Sequence, residues 1–183
     1  MSDKKQELLE CALKLFYQKG VNSVGINEIL QVSGISKKTL YKHFDSKESL
    51  ILEALKLRSE EYLQWIDAIT PTGASEQEVV EALFSGLDLW FSGNNEALGD
   101  FKGCFFINVA YEYKGNSGEI TEYCKAHQFK FRDLINSKLA NESTELLDSI
   151  CLLVDGAINR AYVCDDKASA KHSLDIIKRL YIH

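Results

Sequence analysis

Six residues in an eight-residue window carry the clearest chemistry in this chain: Lys37, Lys38, Thr39, Tyr41, Lys42 and His43. Each can donate a hydrogen bond, several can be positive, and none is acidic. Between and after them, Leu40 and Phe44 stand four residues apart and share one face of a helix. Ser36 suits the N-cap, where its hydroxyl can take one of the first unpaired amides. A short helix with two apolar anchors and that outer surface is suited to lie against a polyanion. Gly34, two residues before the cap, suits the left-handed corner between the two helices of a helix-turn-helix. In such a motif the N-terminal residues of the second helix reach base edges. Lys37 and Lys38 can donate to guanine O6 and N7, and Thr39 can offer a methyl or a hydroxyl. Lys42 and His43 can reach either backbone or bases. The plain alternative for all of them is a solvated, charged helix face.

The elements that would hold this window are helical throughout. The 183 residues contain a single proline, and apolar residues recur at three- and four-residue steps, so the chain reads as all-α. Leu9, Ala12, Leu13 and Phe16 form the inner stripe of a helix ended by Gly20, and Ile26, Ile29 and Leu30 that of a second. Asp45-Ser46 is expected to cap a long fourth helix, with Glu48 completing a capping box on Asp45; Pro71 and Gly73 break it. Ser75 with Glu78 opens the next helix. Gly103 to Ala110 is the most apolar short run and is compatible with a buried helix or a strand. Ser143-Thr144 caps a further helix, and the last carries Leu174, Ile177, Leu180 and Tyr181.

Composition admits a sizeable core: 45% of residues are hydrophobic and 10% aromatic. The net charge of −6 is unevenly spread: residues 1–50 hold eight lysines and six acids, +2, and the remainder −8. The positive end carries the helix described above. No signal peptide or membrane-length apolar stretch is visible, so no membrane association is expected. The five cysteines are scattered and form no Cys-x-x-Cys pair, which points to a reducing, cytoplasmic setting with free thiols. Enzyme signatures are absent. Gly20 and Gly25 have P-loop spacing without the Lys-Ser/Thr, and neither Gly-x-Ser-x-Gly nor a dinucleotide fingerprint occurs. No metal site is expected, because Cys124 and His127, three apart, have no second pair to complete one, and no cofactor is implied.

The first fifty residues resemble the TetR/AcrR family of transcriptional regulators. The resemblance is carried by a helix ending in Gly20, Ile26-Asn27-Glu28-Ile29, the run Gly34 to Phe44, and Ser46-Lys47-Glu48-Ser49-Leu50. It implies about nine helices: a three-helix helix-turn-helix DNA-binding head, residues 1–48, and a larger helical body for ligand binding and dimerisation, residues 49–183. Tyr41 and Lys47 resemble the family's phosphate-binding tyrosine and lysine. Where the family caps its second helix with Ser or Thr, Gly25 stands here, and Asn22 or Ser23 could supply the missing donor.

The partners implied are a double-stranded DNA operator, a second copy of the chain and a small-molecule effector. The expected role is a homodimeric repressor released by that effector. One short helix makes few base contacts, and two heads about 34–36 Å apart meet successive major grooves. The dimer seam is expected on the last two helices, at Ile150, Val154, Ala157, Ala161, Leu174, Ile177 and Tyr181, with ordinary intrachain core as the plain alternative for roughly half of them. Aromatic density with polar punctuation marks Trp65, Phe84, Trp90, Cys104, Phe105, Asn108, Tyr111 and His127 as candidates for the effector pocket. Cys104 carries a second reading, that of a redox- or electrophile-sensing thiol at a helix start. A third is a DNA-bound interaction protein with no ligand.

Overall fold

The computed structural model describes residues 3–114, 118–140 and 143–182. Among them are nine helices and no strand: α1 Asp3–Lys19, α2 Ile26–Ser33, α3 Lys37–His43, α4 Lys47–Ile69, α5 Glu76–Phe91, α6 Phe105–Glu112, α7 Glu119–Lys138, α8 Thr144–Val163 and α9 Ser169–Tyr181. The apolar run after Gly103 is therefore a helix, α6, with Phe105, Phe106 and Val109 on its buried side.

The fold divides into two compact units. One joins residues 1–60 to 105–127, and the other joins 61–104 to 128–183. These are not the segments 1–48 and 49–183 expected from the sequence, because α6 and the start of α7 pack with the first four helices. Long-range packing of that kind leaves no mark on local periodicity.

In the first unit α1 packs on α2 and α3. Leu8, Ala12, Phe16, Val21, Val24, Ile29, Leu40, Leu50, Ile51 and Leu55 make its core. The α4 start is capped differently from expectation. Ser46 Oγ accepts the Ser49 amide at 3.1 Å, and Ser49 Oγ accepts the Ser46 amide at 3.1 Å. The reciprocal exchange is thus between two serines, one residue later than the Asp45–Glu48 pair. At α5 the expected box is present: Glu78 N donates to Ser75 Oγ at 3.3 Å, and Ser75 N donates to Glu78 Oε2 at 2.9 Å.

In the second unit α5, α8 and α9 pack on one another. Their facing stripes, Val79, Leu83, Leu87, Ile150, Val154, Ile158 and Ile177, are all buried. Ser169 Oγ ties α9 to α8 by donating to the Ala157 carbonyl at 2.8 Å. No described helix is long and apolar enough to cross a membrane.

Candidate nucleic-acid interface

The turn before α3 is built from local chemistry. Gly34 has φ +68°, the left-handed conformation that lets its amide close α2 on the Leu30 carbonyl at 3.0 Å. Ser36 is extended at φ −70°, ψ 149°, and its Oγ accepts the Thr39 amide at 3.2 Å. Leu40 is fully buried, and Phe44 ends the helix at 2% exposure with its amide on the Leu40 carbonyl. Burying one such side chain is worth about 2 kcal/mol, enough to hold a seven-residue helix that would not persist alone.

With that side turned inward, Lys37, Lys38, Tyr41 and Lys42 are exposed on the other. Lys37 Nζ lies 6.0 Å from the Tyr41 ring centroid. Lys47 stands half-buried in the first turn of α4. Among the described residues none of these four lysines enters an ion pair, whereas Lys19 nearby is neutralised by Glu28 at 2.6 Å. Cations held on a rigid edge without acidic partners are available to phosphates.

Two members of the set are placed otherwise than the sequence suggests. Thr39 is half-buried, and its Oγ1 is 2.9 Å from Ser36 Oγ, so its hydroxyl is engaged in the cap. His43 sits half-buried, edge-on to Phe44 at 6.5 Å. It lines a cleft of about 670 Å³ together with Lys5, Asp45, Glu48, Glu53, Tyr113 and Glu119.

At the start of α2, Gly25 offers no side-chain cap. Asn22 is spent elsewhere, since its Nδ2 donates to the Glu112 carbonyl at 3.3 Å and its amide donates to Glu112 Oε2 at 2.6 Å. Ser23 is exposed. Glu112 went unremarked in the sequence, because a contact across ninety residues has no local signature.

The eight pocket candidates are distributed over both units. In the first, Phe105 packs edge-on against Tyr17 at 6.0 Å, and Asn108 is half-buried on α6. Tyr111 is 76% exposed. His127 is buried and stacked on Phe106 at 3.4 Å, with Nδ1 2.9 Å from Ser59 Oγ. In the second, Trp65 and Trp90 belong to a ring cluster with Tyr62, Phe91, Phe101 and Phe131. Phe84 is a core side chain at 1% exposure, and Cys104 is half-buried just before α6. None of the eight lines the cleft beside His43. Among the described residues no three His, Cys, Asp or Glu side chains converge as metal ligands would.

The expected dimer residues face inward. Ile150, Val154, Ala157, Ala161 and Ile177 are buried within one chain; Leu174 is half-buried, and Tyr181 OH is 2.7 Å from Ser149 Oγ. The five buried ones pack within one chain, in keeping with the intrachain-core alternative for this pattern. The opposite side of α8 carries Leu152 at 73% exposure and Val163 at 70%, and α9 carries Ile176 and Leu180. Both faces of these helices are partly apolar, so periodicity alone could not choose between them.

The chain matches the family of bacterial regulatory proteins, tetR family, over residues 8–54. It is 47% identical over 55 residues to the uncharacterized HTH-type transcriptional regulator YuxN of Bacillus subtilis, covering 30% of this chain but only 19% of that protein. With the HTH-type transcriptional regulator LmrA of the same organism it shares 31% identity over 138 residues, covering 75% of this chain and 71% of LmrA. A TetR-family regulator from Streptomyces coelicolor has the same fold, with a TM-score of 0.82 at 23% identity, covering all of this chain and 91% of the other. The head's geometry, the match over residues 8–54 and the extended similarity to LmrA together make this chain a member of the TetR family of helix-turn-helix transcriptional regulators.

Proposed function

We propose that the protein is a homodimeric repressor that binds double-stranded operator DNA through α3 and leaves it when a small-molecule effector binds. The observation that carries the DNA reading is the outer face of α3. Lys37, Lys38 and Lys42 stand exposed and, among the described residues, without acidic partners, while Leu40 and Phe44 lock the helix from behind. Lys37 and Lys38, in the first turn, are the base-reading candidates, whereas Tyr41 and Lys47 grip phosphates on either side of the groove.

Dimerisation is supported by the exposed stripe Leu152, Gly156 and Val163 on α8 with Ile176 and Leu180 on α9. These lie at four- and seven-residue steps, which keep them on one side of each helix, and a Cβ at Gly156 would meet nothing within 4 Å of its own chain. A second copy of the same stripe is the self-complementary surface that a twofold dimer needs. Release by effector is the mode of action implied by the family resemblance, as a population shift. An effector that favours a body conformation in which the two heads no longer fit consecutive grooves weakens DNA binding, and by linkage DNA weakens effector binding equally.

The test is selection of duplexes from a random-sequence pool on the full-length protein. A recovered twofold-symmetric motif, bound with an affinity that falls steeply as salt rises, is the expected result. Failure to enrich any sequence would sink the reading.

A further inference from the structure

Glu112, the last residue of α6, grips the turn between α1 and α2. Its carboxylate accepts two successive backbone amides, Val21 N at 3.1 Å on Oε1 and Asn22 N at 2.6 Å on Oε2. Asn22 returns a bond from its side-chain amide to the Glu112 carbonyl at 3.3 Å. Successive amides converging on one anion form a nest, and bonds to a charged acceptor are about twice as strong as neutral ones. Gly20, at φ +84°, makes the nest possible: a Cβ there would lie 2.8 Å from Glu112 Oε1.

The opposite end of α6 is also fixed on α1, where the Phe105 ring packs edge-on against Tyr17 at 6.0 Å. This eight-residue helix is thus tied at both ends, and the turn it grips leads directly into α2 of the helix-turn-helix. The chain enters α6 from Cys104, the last residue of its stretch of the other unit.

From this geometry we infer that Glu112 is a positioning residue that couples α6 to the DNA-reading head. Displacement of α6 is delivered to the start of α2 through the nest, and DNA bound at the head restrains α6 by the same route. The inference rests on the proposed DNA binding, and it is reciprocal, since coupling between two sites acts equally in both directions. It therefore needs no knowledge of the effector to be tested.

Amide hydrogen exchange of the full-length protein is followed with and without a duplex selected from the random pool, for wild type, Glu112→Gln and Glu112→Ala. Slower exchange at residues 37–43 on adding duplex reports the bound head and shows that it is folded. In wild type the duplex is expected also to slow exchange across residues 105–112. That remote effect is expected to shrink in Glu112→Gln, which keeps one acceptor, and to vanish in Glu112→Ala while protection of 37–43 persists. Equal remote protection in all three proteins, or none in wild type, would overturn the inference. If Glu112→Ala no longer binds duplex, wild type against Glu112→Gln decides alone, unchanged remote protection again being the contrary result. Absence of protection at 37–43 in wild type would instead defeat the DNA-binding reading itself.

Discussion

Ser36 Oγ accepts the Thr39 backbone amide at 3.2 Å and lies 2.9 Å from Thr39 Oγ1. One hydroxyl thus starts the recognition helix and holds the side chain that would otherwise be the third free donor at its tip. Removing it in Ser36→Ala should destabilise the head by about 1 kcal/mol. Urea unfolding measures the stability loss. Because Thr39 Oγ1 is set free in the same variant, the sequence preference selected from a random pool should also shift at one position of each half-site. An unchanged preference would show that Thr39 does not face a base.

Tyr41 and Lys47 flank the exposed lysines without being needed for the core. Lys47→Ala should lower DNA affinity equally for all sequences and reduce the slope of log affinity against log salt by about one. Tyr41→Phe, which removes only the hydroxyl, should cost about tenfold in affinity if that hydroxyl meets a charged phosphate. Unaltered binding in both variants would remove them from the contact set.

Leu152 and Val163 are the most exposed aliphatic side chains on α8. Placing charges there, as in Leu152→Glu with Val163→Lys, should leave helicity intact and give a monomer in sedimentation. Half-site DNA binding should survive weakly, because one head retains its contacts. A dimer that persists in the double variant would locate the seam elsewhere.

Gly20→Ala forces a non-glycine residue to φ +84° and drives its Cβ against the Glu112 carboxylate. The backbone strain alone is about 1–2 kcal/mol. In a double-mutant cycle with Glu112→Ala, the Gly20→Ala penalty should be smaller in the background lacking the carboxylate. Additive penalties would mean the turn yields without touching Glu112.

Glu78 shows how acid should act on α5. The Ser75 backbone amide, and then the Ser75 hydroxyl, hold its carboxyl below the usual 4.5. A depressed folded value means that the stabilisation is complete above the ordinary pKa and is lost as pH falls through the lowered one. Glu78→Gln, which keeps an acceptor that does not titrate, should make unfolding less sensitive to pH below about 4.5. An identical acid limb in both proteins would assign that sensitivity to other carboxylates.

Much of this molecule is written in short-range pattern. The cap at Ser36, the corner at Gly34, the anchors Leu40 and Phe44 and the box at Ser75 each depend on residues within four positions of one another. Their spacing is set locally, and the remainder of the head holds the seven-residue α3 by burying Leu40 and Phe44. The Asp45–Glu48 expectation failed by a single residue, since Ser46 and Ser49 offer the same reciprocal bonding and the helix starts one position later.

The sequence by itself determined that the chain is helical, that residues 34–50 carry the helix-turn-helix pattern of the TetR family, and that the cations of α3 lie opposite an apolar stripe. These follow from a 3.6-residue period and from local capping. Tertiary structure decided the rest. It turned Ile150, Val154 and Ile177 inward and left Leu152, Val163 and Leu180 outside, a choice between two apolar faces that local periodicity does not make. It also brought Glu112 to Val21 and Asn22, where two successive amides are satisfied by a carboxylate delivered from ninety residues away.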